Sequence, residues 1–216
     1  GAEETYCVEA LMQDGKALQA GTSHFLGQNF SKAFDVQFAT SEGKKEFVWG
    51  TSWGVSTRLV GALIMTHSDD KGLVLPPNLA PIQVVLIPIF NSEEEFKSVS
   101  EKIKFVGEKL KSKNISIKID DRKNHKPGWK FSEYELKGIP VRIVIGPKDL
   151  ENNTVEVARR DELSKEIIDV NQVDSLIPKL LEKIQINLFD KAKEFRKENT
   201  YHVKDYNEFK ETIKNK

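Results

Sequence analysis

The stretch Ile82-Gln83-Val84-Val85-Leu86-Ile87 is a nearly continuous apolar run, which is typical of a strand covered on both faces. Apolar residues then recur at spacings of three and four from Phe96 to Leu110, and this spacing predicts a helix. Ile115–Ile119 and Ile139–Ile145 are two further strand-like runs. Strands that alternate with helices predict a layered, mostly parallel α/β domain.

The elements predicted further along the chain continue this pattern. Phe131–Leu136 is expected to form a short helix and Thr154–Ala158 a fourth strand. Val173–Leu188 carries the apolar stripe of a closing helix, and Tyr206–Lys216 begins another helical pattern.

The N-terminal part of the sequence predicts antiparallel structure instead. Asp14-Gly15 separates the strand-like runs Tyr6–Met12 and Ala17–Leu26, and this arrangement is a hairpin signal. Asp35–Thr40 and Glu46–Ser52 are expected to form a second pair of strands.

The predicted fold class is therefore α+β followed by α/β. Gly72–Pro77 is expected to be one more strand of the first part, ended by its two prolines. We assign residues 1–80 to the antiparallel domain and residues 81–190 to the α/β domain. Residues 191–216 are expected to be the start of a further, truncated domain.

The composition limits the classes of function. The 33 basic and 33 acidic side chains balance, so any nucleic-acid contact must come from a local basic patch rather than from a global field. The single cysteine, Cys7, excludes a disulfide or a multi-cysteine zinc site within the chain and favours a reducing, cytosolic setting. No apolar run of about 18 residues is present, so no membrane span is expected.

Arg58 is the only arginine before Arg122, and it directly precedes the apolar run Leu59–Met65, which predicts a buried helix. A guanidinium at the first turn of a helix can pair with phosphate oxygens or lie over a base. The unpaired N–H groups and the positive dipole end of the helix add to the attraction for phosphate. These features predict a nucleotide site at Ser52–Arg58, with a structural arginine paired to a glutamate as the alternative.

Several motifs resemble those of prolyl-tRNA synthetases. Ala17–Phe30 is similar to the active-site strand segment of this family, in the branch shared by archaea, eukaryotes and some bacteria. Ser52–Pro77 resembles the family's class II motif three. Glu135–Arg142 and Ile145–Leu150 resemble parts of its anticodon-binding domain. The resemblance implies a partial antiparallel class II synthetase sheet, followed by a layered α/β anticodon-binding domain.

The resemblance also implies an activity. The intact protein is expected to be a proline–tRNA ligase, which activates proline with ATP to prolyl-adenylate and transfers the prolyl group to tRNA(Pro). The implied cofactors are ATP and Mg²⁺, without zinc in this chain. The implied partners are tRNA(Pro), proline and a second copy of the chain in a homodimer, and the implied location is cytoplasmic, with no membrane contact.

By the same resemblance, four residues contact ATP: Gln19, Thr22, Ser56 and Arg58. Arg58 matches the motif-three arginine and is the implied catalytic residue, while the amide oxygen of Gln19 could also contact Mg²⁺. On the residues alone, Gln19 and Thr22 could instead form the polar face of a strand. Ser56 could be an ordinary helix cap.

His24 and Trp53 are implied to line the proline pocket. An aromatic wall suits the flat apolar pyrrolidine ring and can attract its ammonium group. Without the resemblance, a lone strand histidine such as His24 is more often a satisfied core residue. No second ligand at metal spacing accompanies it, so His24 is not expected to bind a metal.

The second implied site is a basic stretch with interleaved aromatic residues. Seven basic and two acidic residues lie between Arg122 and Lys148. Exposed anticodon bases need stacking surfaces, groups that read base edges, and neutralisation of phosphates. The implied anticodon contacts are Phe131, Glu135, Arg142, Lys148 and Asp149. A solvated charged face is the alternative interpretation of this stretch.

The sequence departs from the full class II pattern. Motif one, which serves dimerisation, and motif two, which supplies a second arginine to the α-phosphate, are not visible. We therefore expect a fragment that does not form prolyl-adenylate by itself. The alternative is a non-catalytic tRNA-binding or regulatory relative. A protein without ATP binding, however, would have no need for the set of Gln19, Thr22, His24, Trp53 and Arg58 together.

Overall fold

The structure is a computed structural model that describes residues 1–214. The chain forms two compact units, Gly1–Thr66 and His67–Lys216. Within the described residues, no helix is both long and apolar enough to cross a lipid bilayer.

The first unit contains a three-stranded antiparallel sheet, a small two-stranded sheet and two helices. The elements are β1 (Glu4–Leu11), β2 (Ala17–Gly27), α1 (Asn29–Ala33), β3 (Gln37–Ala39), β4 (Lys45–Phe47), β5 (Gly50–Val55) and α2 (Arg58–His67). The strand order of the larger sheet is β1-β2-β5, and β3 pairs with β4.

The hairpin predicted around Asp14-Gly15 is present as β1 and β2, but three other predictions for this region need correction. The run Glu46–Ser52 is divided between β4 and β5, which belong to different sheets. The helix at Leu59–Met65 forms, yet only Ala62 of α2 is buried, because the described chain covers little of its apolar surface. Gly72–Pro77 is not a strand. It is an extended segment in which Leu73 and Leu75 donate backbone hydrogen bonds to Leu136 and Gly138, while Gly72 donates to Asp69 within the preceding turn.

The second unit is a layered α/β structure built on one five-stranded sheet. Its elements are β6 (Val84–Pro88), α3 (Glu93–Lys111), β7 (Ile117–Ile119), α4 (Pro127–Leu136), β8 (Val141–Ile145), α5 (Pro147–Asn152), β9 (Thr154–Arg159), β10 (Lys165–Asp169), a short 3₁₀ turn (Val170–Gln172), α6 (Val173–Glu198) and α7 (Tyr206–Lys214). The last two residues of the helical pattern predicted at Tyr206–Lys216 lie outside the described range.

The strand order is β10-β9-β8-β6-β7, and the sheet is mixed rather than mostly parallel. β7, β6 and β8 are parallel, whereas β9 and β10 run antiparallel to their neighbours. Between β8 and β9 the only helix is the six-residue α5, and a parallel crossover needs about a dozen residues. The chain therefore turns back, and β10, which was not predicted, extends the sheet as a hairpin with β9.

Alternation along β6 produces the two layers of the core. Val84 and Leu86 point to the side that carries α3 and α6, whereas Val85 and Ile87 pack with Tyr134 of α4. All four strand residues are fully buried, and burial of each such side chain contributes about 1.5–3 kcal/mol. This double coverage explains why the strand lacks the polar alternation of a half-exposed sheet.

Candidate functional site

A depression of about 310 Å³ lies over β2, β5 and the start of α2. The residues predicted to bind ATP or proline all border it: Gln19, Thr22, His24, Trp53, Ser56 and Arg58. The structure therefore brings together residues that are up to 39 positions apart in the sequence.

A bulge in β2 explains how Gln19 reaches this depression. Val8 of β1 pairs with Gly21, but the next residue, Glu9, pairs with Gln19, so Ala20 is an extra residue in β2. An extra residue shifts the alternation of a strand by one position. Gln19 thus shares the face of Thr22 and His24, from which strict alternation would have excluded it.

Arg58 is held over the bulge by neutral oxygen acceptors. Its Nη1 atom donates to Oε1 of Gln19 at 3.2 Å and lies 3.5 Å from the carbonyl oxygen of the same residue. Arg58 is exposed, and it forms no ion pair with a carboxylate in the described part of the chain. Ser56 caps α2, since its Oγ atom accepts from the backbone N–H of Arg58 at 3.3 Å. Both polar groups are solvent-accessible at the helix N-terminus.

His24 is oriented by a neighbour on β1. Thr5 pairs with His24 across the sheet, and its hydroxyl oxygen lies 2.9 Å from Nδ1 of the ring. This contact leaves Nε2 as the nitrogen that can reach a bound molecule.

Trp53 departs from the expectation for the proline pocket. It borders the depression, but it pairs with Ser23, whereas Thr22 pairs with Gly54 and His24 with Ser52. Paired residues in an antiparallel sheet share a face, and successive residues alternate. The side chain of Trp53 therefore points to the opposite face from His24, and it is 80 % exposed.

Two residues of this site were not found in the sequence, Thr5 and Cys7. The thiol of Cys7 accepts a hydrogen bond from Nε2 of Gln19 at 3.6 Å. Both residues are recognised only from the pairing register of β1 and β2. The bulge shifts this register by one residue, so it cannot be inferred by counting positions in the sequence.

The side chains around the depression supply few of the oxygen ligands that Mg²⁺ requires. Gln19 supplies one amide oxygen, but no carboxylate lines the depression. Within residues 1–214 no cluster of three or more histidine, cysteine or acidic residues is arranged to hold a metal. These side chains therefore do not form a magnesium site by themselves.

Three of the predicted anticodon contacts come together on the α4 side of the sheet. Arg142 alternates with the core residues Val141 and Ile143, and it therefore faces α4. Its guanidinium lies 3.9 Å from the ring centroid of Phe131, and Nη1 donates to Oε1 of Glu135 at 3.1 Å. Arg142 is only 6 % exposed, and its Nε atom has no hydrogen-bond partner in the described structure.

The other two predicted contacts, Lys148 and Asp149, lie beyond the opposite end of β8, on α5. Six residues separate Arg142 from Lys148, and a chain of that length spans at most about 20 Å. Asp149 accepts a hydrogen bond from the backbone N–H of Gly146 at 2.8 Å and so stabilises the start of α5. Lys148 is exposed. The five residues therefore form two separate groups.

Much of the basic stretch is neutralised within the fold. Arg122 pairs with Asp120 and Glu133, and Lys137 also pairs with Glu133. Lys130 is buried, and its Nζ atom donates to the carbonyl oxygen of Asp120 at 2.9 Å. The net positive charge counted in the sequence therefore overstates the charge that this face offers to a partner.

The buried charges shift the pKa values of their neighbours. Burial alone would raise the pKa of Asp120, but hydrogen bonds from Arg122 and the charges of Lys130 and Arg122 hold it well below its usual range. Burial, with the charge of Asp120, raises the pKa of Tyr134 to about 12. Both groups therefore keep a fixed charge state near neutral pH.

A cavity of about 200 Å³ adjoins Glu135 and Arg142. Four basic residues that were not among the predicted contacts also line it: Lys71, Arg159, Arg160 and Lys165. Lys71 comes from the segment after α2, and the other three come from the β9–β10 hairpin. No local motif marks these residues, because they meet only after the sheet has formed.

Known proteins resemble both the N-terminal unit and the α/β unit of the chain. The family model of the anticodon binding domain matches residues 83–180. Proline--tRNA ligases of Flavobacterium psychrophilum and Porphyromonas gingivalis are 63 % and 61 % identical over 100 % and 99 % of the chain. The chain spans only 44 % and 43 % of those proteins.

A solved structure is similar as well. The crystal structure of prolyl-tRNA synthetase from Cryptosporidium parvum, complexed with L-proline and AMP, superimposes with a TM-score of 0.84 at 46 % identity. The match covers 92 % of this chain and 43 % of that one.

The anticodon binding domain, preceded by an antiparallel sheet that presents Arg58 and its polar neighbours, defines an aminoacyl-tRNA synthetase. The identity over the whole chain then specifies the family. The chain belongs to the prolyl-tRNA synthetase family, of which it represents the C-terminal region.

Proposed function

We propose that the chain is part of a proline–tRNA ligase that activates proline with ATP and transfers the prolyl group to tRNA(Pro). The observation that carries the proposal is the convergence of Gln19, Thr22, His24, Ser56 and Arg58 on one depression. The family relatives support the choice of proline. The intact protein is proposed to act in the cytoplasm as a homodimer and to belong to the branch shared by archaea, eukaryotes and some bacteria.

Arg58 is proposed to hold ATP while the proline carboxylate attacks the α-phosphate, the bond between the α- and β-phosphates breaks, and pyrophosphate leaves. Its present acceptors are two neutral oxygens of Gln19, and a phosphate forms stronger, charge-assisted hydrogen bonds with a guanidinium. Binding of ATP can therefore displace Arg58 from Gln19. Stabilisation of the charge that develops on the phosphate then lowers the barrier.

The neighbouring residues are proposed to position the two substrates. Gln19, Thr22 and Ser56 supply an amide and two hydroxyls for ATP, and Mg²⁺ would take most of its ligands from phosphates and water. His24 is proposed to contact proline through Nε2. Trp53 is proposed as a residue at the border of the proline pocket. The register of β5 directs its ring to the face of the sheet opposite His24, so it is not placed beside His24 as a pocket wall.

The second unit is proposed to read the anticodon with two groups of residues. Phe131, Glu135 and Arg142 form one group, in which a ring, a carboxylate and a guanidinium are adjacent. Lys148 and Asp149 form the other group, on α5 beyond the end of β8, at most about 20 Å from Arg142 along the chain. Two groups at this separation suit two different bases of a splayed loop. The proposed domain limits remain residues 1–80, 81–190 and 191–216.

Arg58→Gln in the full-length protein tests the catalytic proposal. We expect proline-dependent ATP–pyrophosphate exchange to fall by about 10²–10³-fold, as on loss of one preorganised charge-stabilising group. Glu135→Ala is the control, because it should leave exchange unchanged. If the intact wild-type protein shows no exchange, the non-catalytic alternative is favoured. If residues 1–216 alone show exchange, the expectation of an inactive fragment is wrong.

A further inference from the structure

Residues 69–75, which we call the strap, lie along the C-terminal end of α4. The backbone N–H of Leu73 donates to the carbonyl oxygen of Leu136 at 3.0 Å, and that of Leu75 donates to Gly138 at 3.3 Å. Gly72 and Gly138 have φ values of +127° and +69°, and a Cβ on either would meet backbone atoms of the facing segment at 2.7 Å or less. The two segments are therefore in direct backbone contact.

Arg160 fastens this contact from the turn after β9. Its Nη1 and Nη2 atoms donate to the two carboxylate oxygens of Asp69 at 2.7 and 2.5 Å, and Nη2 also donates to the carbonyl oxygen of Gly72 at 3.2 Å. Its Nε atom donates to the carbonyl oxygen of Glu135 at 3.0 Å. The side chain is only 2 % exposed. One guanidinium thus binds both ends of the strap turn and the helix that carries Glu135.

Glu135 is consequently held at two points. Arg160 fixes its backbone carbonyl, and Arg142 binds its carboxylate at 3.1 Å. Lys71, on the strap, lines the cavity that Glu135 and Arg142 also line. A base edge is read only when donor and acceptor meet within about 3 Å, so a displacement of the helix end by about 1 Å would weaken recognition.

We propose that Arg160 is a positioning residue for anticodon recognition. It holds the strap against the end of α4, and it thereby sets the place of the Glu135 carboxylate and of Lys71 without touching the tRNA. This inference rests on the proposed function. Proline anticodons share two guanines, and the Watson–Crick edge of a guanine offers hydrogen-bond donors that suit the carboxylate of Glu135.

The test compares tRNA(Pro) transcripts that carry guanine or inosine at each of the two guanine positions of the anticodon. Inosine lacks the 2-amino group of guanine, which would donate a hydrogen bond to the carboxylate. With the full-length protein, kcat/KM for prolylation should favour guanine roughly tenfold at one of these positions. In Arg160→Met this preference should fall to about twofold or less, whereas ATP–pyrophosphate exchange, which needs no tRNA, should be unchanged.

Arg196→Met is the control. Arg196 lies exposed in the last turn of α6, and it does not line the cavity that adjoins Glu135. It should therefore keep the guanine preference. A second variant, Asp69→Leu combined with Arg160→Met, removes both charges without leaving one buried and unpaired, and it should lose the preference as Arg160→Met does.

An unchanged guanine preference in variants that retain exchange activity overturns the inference. If Arg160→Met also loses exchange activity, Asp69→Asn is the variant that tests the inference. It weakens the pairing with Arg160 but should still fold, because the Asp69 side chain is 44 % exposed and asparagine has nearly the same shape. An unchanged preference in that variant overturns the inference, and a reduced one supports it. If the wild-type protein shows no preference, or if Glu135→Ala keeps it, the base-reading role of Glu135 fails, which is a separate result.

Discussion

Arg142 illustrates how a single residue can be held ready to bind. It stacks on Phe131 and donates to Glu135, yet its Nε atom lies buried with no hydrogen-bond partner in the described residues. A buried unpaired donor costs about 1–3 kcal/mol. A base or phosphate oxygen that reached this atom would remove the cost, and this gain favours binding at the Glu135–Arg142 group.

Glu135 and Lys126 are expected to contribute to tRNA binding in different ways. Glu135→Ala should weaken binding of tRNA(Pro) by about 1–3 kcal/mol and relax the preference for guanine. Lys126 is exposed and forms no ion pair in the described structure, so Lys126→Ala should weaken all tRNAs alike and reduce the salt dependence. Binding measured at several salt concentrations, with cognate and non-cognate tRNAs, separates these effects. Equal losses for both variants across all tRNAs would contradict the assignment of Glu135 to base reading.

At the scale of elements, α4 carries two of the residues that are proposed to read the anticodon, and ion pairs and hydrogen bonds of charged side chains hold its buried side in place. Lys130 donates to the backbone of Asp120 at the end of β7, and its Nζ atom lies 3.6 Å from Oδ1 of the same residue. Arg122 binds both oxygens of Asp120, and it also binds Glu133 on α4. Phe131 and Glu135 are presented from the same helix, so this network sets their orientation.

Asp120→Asn should therefore change stability and its dependence on pH. The folded-state pKa of Asp120 is depressed, so its contribution is present above the unfolded value of about 3.9 and is lost as the pH falls towards the folded value. At pH 7 the variant should lose about 3 kcal/mol, because Lys130 and Arg122 lose a buried partner. Urea unfolding between pH 7 and pH 3 should show a smaller acid-induced loss in the variant than in the wild type. Parallel curves would show that another carboxylate causes the acid dependence.

At the scale of the whole molecule, the two units differ in the core that each contains. Both apolar clusters lie between Val74 and Leu188, within the second unit. In the described part of the first unit the only buried apolar residues are Met12 and Ala62, and residues such as Tyr6, Val8 and Val60 are exposed. A unit that buries so little apolar surface cannot offset the conformational entropy lost on folding.

Residues 67–216 expressed alone should consequently fold, with a cooperative thermal transition, whereas residues 1–66 alone should not. Limited proteolysis of residues 1–216 should remove the first unit and leave a resistant piece that contains residues 82–188. Circular dichroism of the two separate units and mass spectrometry of the digest would measure these outcomes. Early cleavage between β6 and β9 would contradict the expected difference in stability.

The sequence by itself determined most of the helices and strands of the second unit, and it named the residues that are proposed for the two sites. Its apolar periodicity predicted β6, α3, β8 and α6, because burial on one or two faces leaves a regular pattern in the chain. Its motifs identified Arg58, His24, Glu135 and Arg142 through resemblance to one family. These features are local, so a linear sequence is sufficient to carry them.

The tertiary structure decided which residues share a face and which charges remain available. The bulge at Ala20 moved Gln19 to the side of His24, and the register of β5 turned Trp53 away from it. Pairing through the folded sheet neutralised Arg122 and brought Arg160 to the strap. Such outcomes depend on a one-residue shift in pairing and on contacts between distant segments, and neither leaves a mark in the local sequence.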